Sequence, residues 1–356
     1  MKKKFLFSLL SLMLVGMSAF NMGVSVKAQE KLEVKTTFYP VYFLAEQIGG
    51  DYANVSMLLE ANQDAHDYEI SASDVTEVQN ADLFIYQDDE MEYFVQDLLA
   101  VINTENTKIV ESTEGLTLLT GSDTHDHEGE EAADDHDHEG EEAADEHDHE
   151  EGAHEEDDHD HEEDDHAHEE DDNAHDHGAE EDGHSHNYDP HTWVDPMFYA
   201  QQAENVLNAF VELDPANAEG YQNNYQALVD ELTLIDEEYR TALADREDRR
   251  FVVQHAAFGY LANAYDLEQV AITGLSTTQE PSAQEIATMQ DFVVENDVKV
   301  IYVDPTSSSS IAQTVAQANN AELRPLRTLE SVTADELAQG INYFDIMRDN
   351  LIELAK

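Results

Sequence analysis

Seven His-x-His pairs follow one another between Ser122 and His186: His125/His127, His136/His138, His147/His149, His159/His161, His166/His168, His175/His177 and His184/His186, with His154 among them. Of the 18 histidines, 15 fall in this segment, together with 33 Asp and Glu and no Lys or Arg. Paired imidazoles in a carboxylate-rich chain are ligands for metal ions. The pattern is an imperfect repeat of His-Asp-His-Glu-Gly-Glu-Glu-Ala-Ala-Asp. It is too polar to bury a core and is expected to be disordered until a ligand orders it. An acidic solvated linker would need no such pairing. The remaining histidines, His66, His191 and His255, are far apart in sequence. Each lies at an expected loop, and the three could form one defined site beside a tract that gathers metal.

The chain has no cysteine, so thiolate sites, disulfides and cysteine nucleophiles are excluded, and a metal must be held by His, Asp, Glu or water. Three imidazoles and one carboxylate make a tetrahedral set suited to Zn²⁺, whereas Mn²⁺ favours more oxygen ligands. The carboxylate expected here is Asp304, which follows the apolar run Val298 to Val303.

Positioning these residues requires alternating strands and helices. In the first half, strands are expected over 33–37, 55–59, 81–86 and 108–110, and helices over 41–48, 74–79 and 91–101, with Ser71 opening a capping pattern. After the tract, Asp195 and Pro196 form a cap and first-turn pair for a helix to about Leu213. Asp214-Pro215 then opens a long helix whose stripe of Tyr221, Tyr225, Leu228, Leu232, Ile235, Tyr239 and Leu243 spans both halves as a rigid connector. The second half repeats the alternation, with strands over 251–254, 269–273, 298–303 and 323–326 and helices over 256–265, 283–295, 311–319 and 343–354. This pattern predicts an α/β protein of two βα domains with parallel sheets. His66, His255 and Asp304 then follow strands, where open parallel sheets bind ligands, and the metal would sit in the cleft between the domains. The expected division is a signal segment 1–28, a first domain 29–213 carrying the insertion 122–186, a linking helix 214–247 and a second domain 248–356.

Formal net charge is -65 in 356 residues, and much of the excess acidity lies outside the tract. Such a chain repels nucleic acid and anionic lipid and favours cations. Lys2, Lys3 and Lys4 precede an apolar run from Phe5 to Phe20, and Val26-Lys27-Ala28 fits a signal-peptidase site. Export with cleavage after Ala28 is expected. Leu14-Val15-Gly16-Met17 has the form of a lipobox with Met17 in the place of the lipidated cysteine, so no lipid anchor is expected.

Five stretches carry a family resemblance: Phe38-Tyr39-Pro40, Asp64-Ala65-His66-Asp67-Tyr68-Glu69, Asp189-Pro190-His191-Thr192-Trp193, His255-Ala256-Ala257-Phe258-Gly259-Tyr260 and Glu280-Pro281-Ser282. Over essentially the whole mature chain the sequence resembles the zinc-binding solute-binding proteins of bacterial ABC metal importers. The resemblance implies two βα domains joined by a long helix, metal between them, and delivery to a membrane permease. The sequence ends soon after the second domain, and no appended metal-binding module is expected there. Manganese relatives carry Glu where His255 stands, which favours zinc. In zinc relatives the fourth ligand is often Glu or water; here Asp304 or a water is expected to complete the shell, with Glu280 bracing the adjacent helix.

The function expected is therefore capture of Zn²⁺ as a transported ligand by an exported, monomeric receptor that is not an enzyme, with an ABC permease membrane subunit as partner and no nucleic acid. The rivals are a secreted zinc buffer or adhesin, a Mn²⁺ receptor, and a zinc hydrolase. The last lacks a His-Glu-x-x-His pair and a general base beside the ligands.

Overall fold

The computed structural model describes residues 31–61, 63–121, 187–277 and 281–356. The signal segment, the histidine-rich tract and Glu280 lie outside these residues. Strands β1 (Leu32–Thr36), β2 (Ala53–Met57), β3 (Leu83–Tyr86) and β4 (Lys108–Glu111) form one sheet in the order β2-β1-β3-β4. Strands β5 (Arg250–His255), β6 (Glu268–Thr273), β7 (Val300–Val303) and β8 (Glu322–Pro325) form a second in the order β6-β5-β7-β8. Every pairing in both is parallel. The molecule is thus two α/β domains of matching topology, as the alternation predicts.

Helices connect these strands: α1 (Tyr39–Gly49), α2 (Ala72–Gln79), α3 (Phe94–Val101), α4 (Pro196–Leu213), α5 (Ala218–Leu243), α6 (Gly259–Ala264), α7 (Ala283–Glu295), α8 (Ser310–Ala316), α9 (Ala334–Gln339) and α10 (Tyr343–Leu354). Their starts follow from local chemistry. Ser71 with Asp74, Ser282 with Glu285, Thr333 with Glu336 and Asn342 with Asp345 close reciprocal caps. Asp195 accepts from the Met197 and Phe198 amides at the head of α4, and Pro196 occupies a position whose amide has no helical partner. Two details depart from the sequence reading. The long helix begins at Ala218, because Pro215–Asn217 forms a separate 3-10 turn. Helix α9 was not expected at all.

Helix α5, about 39 Å long at 1.5 Å per residue, ties the halves together. Its buried stripe includes Tyr221, Leu228, Leu232, Ile235, Tyr239 and Leu243. Asn224 Nδ2 donates to Ile48 O at the end of α1 (3.0 Å), and Tyr239 donates to Met347 O in α10 (2.6 Å). Helix α10 also enters the first half: the Tyr343 ring lies 5.5 Å from Phe43 and 4.7 Å from Tyr199. One continuous apolar core therefore runs through both domains, and a smaller cluster around Val252, Ile272, Met289 and Ile301 lies under the second sheet alone.

The ends of the insertion meet. Gly121 N donates to Asn187 O (3.0 Å), and Thr120 and Tyr188 form an antiparallel bridge. Residues 121 and 187, which flank the tract, thus lie side by side. Among the described residues no helix is long and apolar enough to cross a membrane.

Candidate metal centre

His66 lies in the connection after β2, His191 in the segment between β4 and α4, and His255 is the last residue of β5. The fold brings the three together. Ring centroids are 5.0 Å apart for His191 and His255, 5.5 Å for His66 and His191, and 5.6 Å for His66 and His255. The fourth group to converge is Glu330, in the loop between β8 and α9. One ligand atom from each of His66, His191, His255 and Glu330 lies within 4.8 Å of the others. All four residues are at least nine-tenths buried.

Asp304 is not in this group. The Thr306 amide and hydroxyl donate to its Oδ1 (2.7 and 2.6 Å), and the Thr328 amide and hydroxyl donate to its Oδ2 (2.7 and 3.1 Å). Oδ1 is thus engaged by its own turn and Oδ2 by the loop that carries Glu330, and the residue expected as a ligand stands outside the converging group. Leu329, next to Glu330, adopts φ 64° while fully buried. A left-handed leucine costs about 1–2 kcal/mol, and here it coincides with burial of one side chain and convergence of the next on the histidines.

The protonation pattern can be read from the partners. The Gly274 carbonyl only accepts, so His255 Nδ1 donates to it (2.9 Å). The Asp189 carboxylate accepts from His191 Nδ1 (2.8 Å) and from the His191 amide (2.9 Å). In neutral rings, both Nε2 atoms then carry lone pairs. They lie 3.2 Å apart, and Glu330 Oε1 is 3.4 Å from each. Three electron-rich atoms with no hydrogen between them repel one another, so the arrangement calls for a cation at their centre. A second ring nitrogen held by a carboxylate or carbonyl is the usual support of a metal-bound histidine. Gly259 makes room for it: a Cβ there would overlap Asp189 Oδ2. This accounts for a glycine in the His-Ala-Ala-Phe-Gly-Tyr stretch.

The electrostatics agree. Burial opposes charge on His191, but the Asp189 and Glu330 carboxylates outweigh it and hold its pKa up at about 9. Burial would raise Glu330, yet His191 and His255 keep its carboxyl well below the usual range. Without metal, a proton thus occupies part of the cation's place. Behind the His191 segment lies a buried polar network. Gln87 Nε2 donates to Pro190 O (3.0 Å) and Thr192 Oγ1 (2.7 Å), and its own amide donates to Glu92. Burial pushes Glu92 up to about 8 and Asp88 to about 7.

These three raised values have one consequence for stability. Ordinary values are about 6.5 for His and about 4 for the carboxylates, so between about pH 4.5 and 9 the folded chain holds more protons than the unfolded one. Stability then falls as pH rises through that window. The metal-free protein should melt at a higher temperature at pH 6 than at pH 9, as scanning calorimetry in chelator would record. With zinc bound the difference should shrink, because the ion replaces the His191 proton. A metal-free protein more stable at pH 9 would contradict these assignments.

Known proteins resemble this chain over nearly its whole length. The zinc-binding protein AdcA of Streptococcus pyogenes is 34% identical over 351 residues, 99% of this chain and 61% of that protein. The chain thus spans about three fifths of the length of the AdcA proteins it matches. The high-affinity zinc uptake system protein ZnuA of Bacillus subtilis is 34% identical over 322 residues, 90% of this chain and 86% of that one. The crystal structure of the Zn(II)-bound ZnuA-like domain of Streptococcus pneumoniae AdcA superposes with a TM-score of 0.66 at 29% identity, covering 92% of this chain and 98% of that domain. The model of the zinc-uptake complex component A family, described as periplasmic, matches residues 34–356, and the chain belongs to that family.

Proposed function

We propose that this protein captures Zn²⁺ outside the cytoplasmic membrane through His66, His191, His255 and Glu330 and delivers it to an ABC permease. The observation that carries the reading is the convergence of two lone-pair imidazole nitrogens and a carboxylate oxygen within 3.4 Å, with His66 closing the set. Three nitrogens and one oxygen suit zinc better than manganese, which favours oxygen. A carboxylate in the fourth position leaves no open site for a reacting water, which supports transport over hydrolysis. The names and titles of the three relatives described above, each concerned with zinc binding or uptake, point the same way. The protein would act as a monomer, with zinc as cargo. The histidine-rich tract would gather zinc weakly, and the buried centre would hold it tightly.

Deletion of residues 122–186 tests the division of labour. Because Gly121 and Asn187 are already hydrogen-bonded, the deletion joins neighbours and should leave the circular dichroism spectrum unchanged. Zinc calorimetry should then show one tight site and the loss of several weaker ones. A metal-edge anomalous map of crystals grown without added metal should place zinc among the four side chains. Loss of the tight site on deletion, or a different metal in the map, would overturn the reading.

A further inference from the structure

A hydroxyl-rich cavity of about 360 Å³ adjoins the centre on the side of the second domain. His255 and Glu330 line it, and His66 and His191 do not. Asp64 and Thr277 stand in its wall, one from each domain. Thr277 Oγ1 donates to Asp64 Oδ2 (2.6 Å) across a sequence separation of 213 residues, and Asp64 Oδ1 accepts from the His66 amide (2.9 Å). At the other end of the short segment that carries Thr277, the Gly274 carbonyl holds His255 Nδ1 (2.9 Å). Residues 274–277 therefore bridge two candidate ligands from opposite domains: His255 through a carbonyl, and His66 through Thr277 and Asp64.

We infer that Thr277 is a positioning residue whose hydrogen bond to Asp64 holds His66 and His255 in register and so sets how slowly zinc leaves the centre. This rests on the zinc-binding reading above. The reasoning is geometric. Release requires that ligands separate, and the cavity beside His255 and Glu330 is a side from which the buried centre can be reached. Parting the domains on that side stretches the Thr277–Asp64 bond. The bond is charge-assisted and half-buried, and such bonds are the stronger kind. It touches none of the ligand atoms, so its loss should leave the coordination set intact and act on the dissociation rate, where affinity differences among related complexes mostly arise.

The test uses the full chain loaded with less than one equivalent of zinc, so that the tight site fills first. Release is followed by stopped-flow transfer to a chromogenic chelator. Thr277→Val keeps the shape and removes the donor, and should speed release by about ten-fold, the effect of losing one such bond. Thr277→Ser keeps the donor and should release zinc at the parent rate. The association rate should not change in either variant. A merely stabilising role would lower the melting temperature of metal-free Thr277→Val while leaving its zinc release at the parent rate. If Thr277→Val binds one zinc tightly and releases it at the parent rate, the inference is wrong while the zinc reading stands. If the parent itself shows no tight site, the zinc reading fails first.

Discussion

His191→Ala is expected to lower zinc affinity by about a hundredfold or more. Apparent binding free energies of four-ligand protein zinc sites are about 10–16 kcal/mol, so one ligand accounts for roughly 3 kcal/mol. His191 should lie at or above that share. It is fully buried, and both carboxylates of the centre, Asp189 and Glu330, converge on it. Its removal leaves those acids without the imidazole that separates them. Competition against a chelator of known affinity measures the loss. Glu330→Gln should also weaken binding strongly by taking away the anionic ligand. Asp304→Asn should act less, through the loop alone, because Thr306 and Thr328 already occupy its oxygens. Alanine at His125 or His127 should leave the tight site untouched. Equal losses from Asp304→Asn and Glu330→Gln would show that the carboxylate assignment is mistaken.

The contrast between Asp304 and Glu330 marks where sequence reasoning stopped. Period, caps and strand composition made both sheets legible, and the rule that ligands gather at strand ends pointed to His66 and His255, which the fold brings together. Applied after β7, that rule gave Asp304; applied after β8, it would have reached the loop with Glu330. A signal was present there. Thr333-Ala334-Asp335-Glu336 is a capping pattern that announces α9 and so delimits a loop from Leu326 to Val332. Nothing local announces the turn itself, since Leu329 is a residue that disfavours positive φ. It is held there by burial of its side chain in the core, a tertiary effect. Asp189 and Gly259 stood inside quoted stretches, but their roles depend on a contact between segments 70 residues apart and were unreadable before folding. Asp304 illustrates the converse case: the right residue type at the right strand end, committed elsewhere by hydrogen bonds that only the structure supplies.

Trp193→Ala should cost about 3–5 kcal/mol of stability, the usual range for emptying a large aromatic site, and should impair zinc binding as well. The indole is fully buried, packs edge-on against Phe38 at 5.2 Å, and lies 5.4 Å from the His191 ring. Its Nε1 donates to Thr328 O (2.7 Å), and its own carbonyl accepts from Tyr343 (2.7 Å). Trp193 is two residues from His191, and Thr328 is two residues from Glu330, so one hydrogen bond pins together the loops that present these two groups. Alanine removes packing and bond at once. Trp193→Phe separates them: it retains much of the apolar volume but leaves the Thr328 carbonyl without its donor, a loss of about 1–3 kcal/mol. Denaturant unfolding of the metal-free proteins should therefore rank the parent above Phe and Phe above Ala. Zinc affinity should already fall in the Phe variant, because Glu330 is less firmly held even where the core is nearly full. Parent-like affinity in Trp193→Phe would mean that Asp304, Asn350 and Glu336 suffice to fix the loop of Thr328, and that the tryptophan contributes to the fold without contributing to the centre.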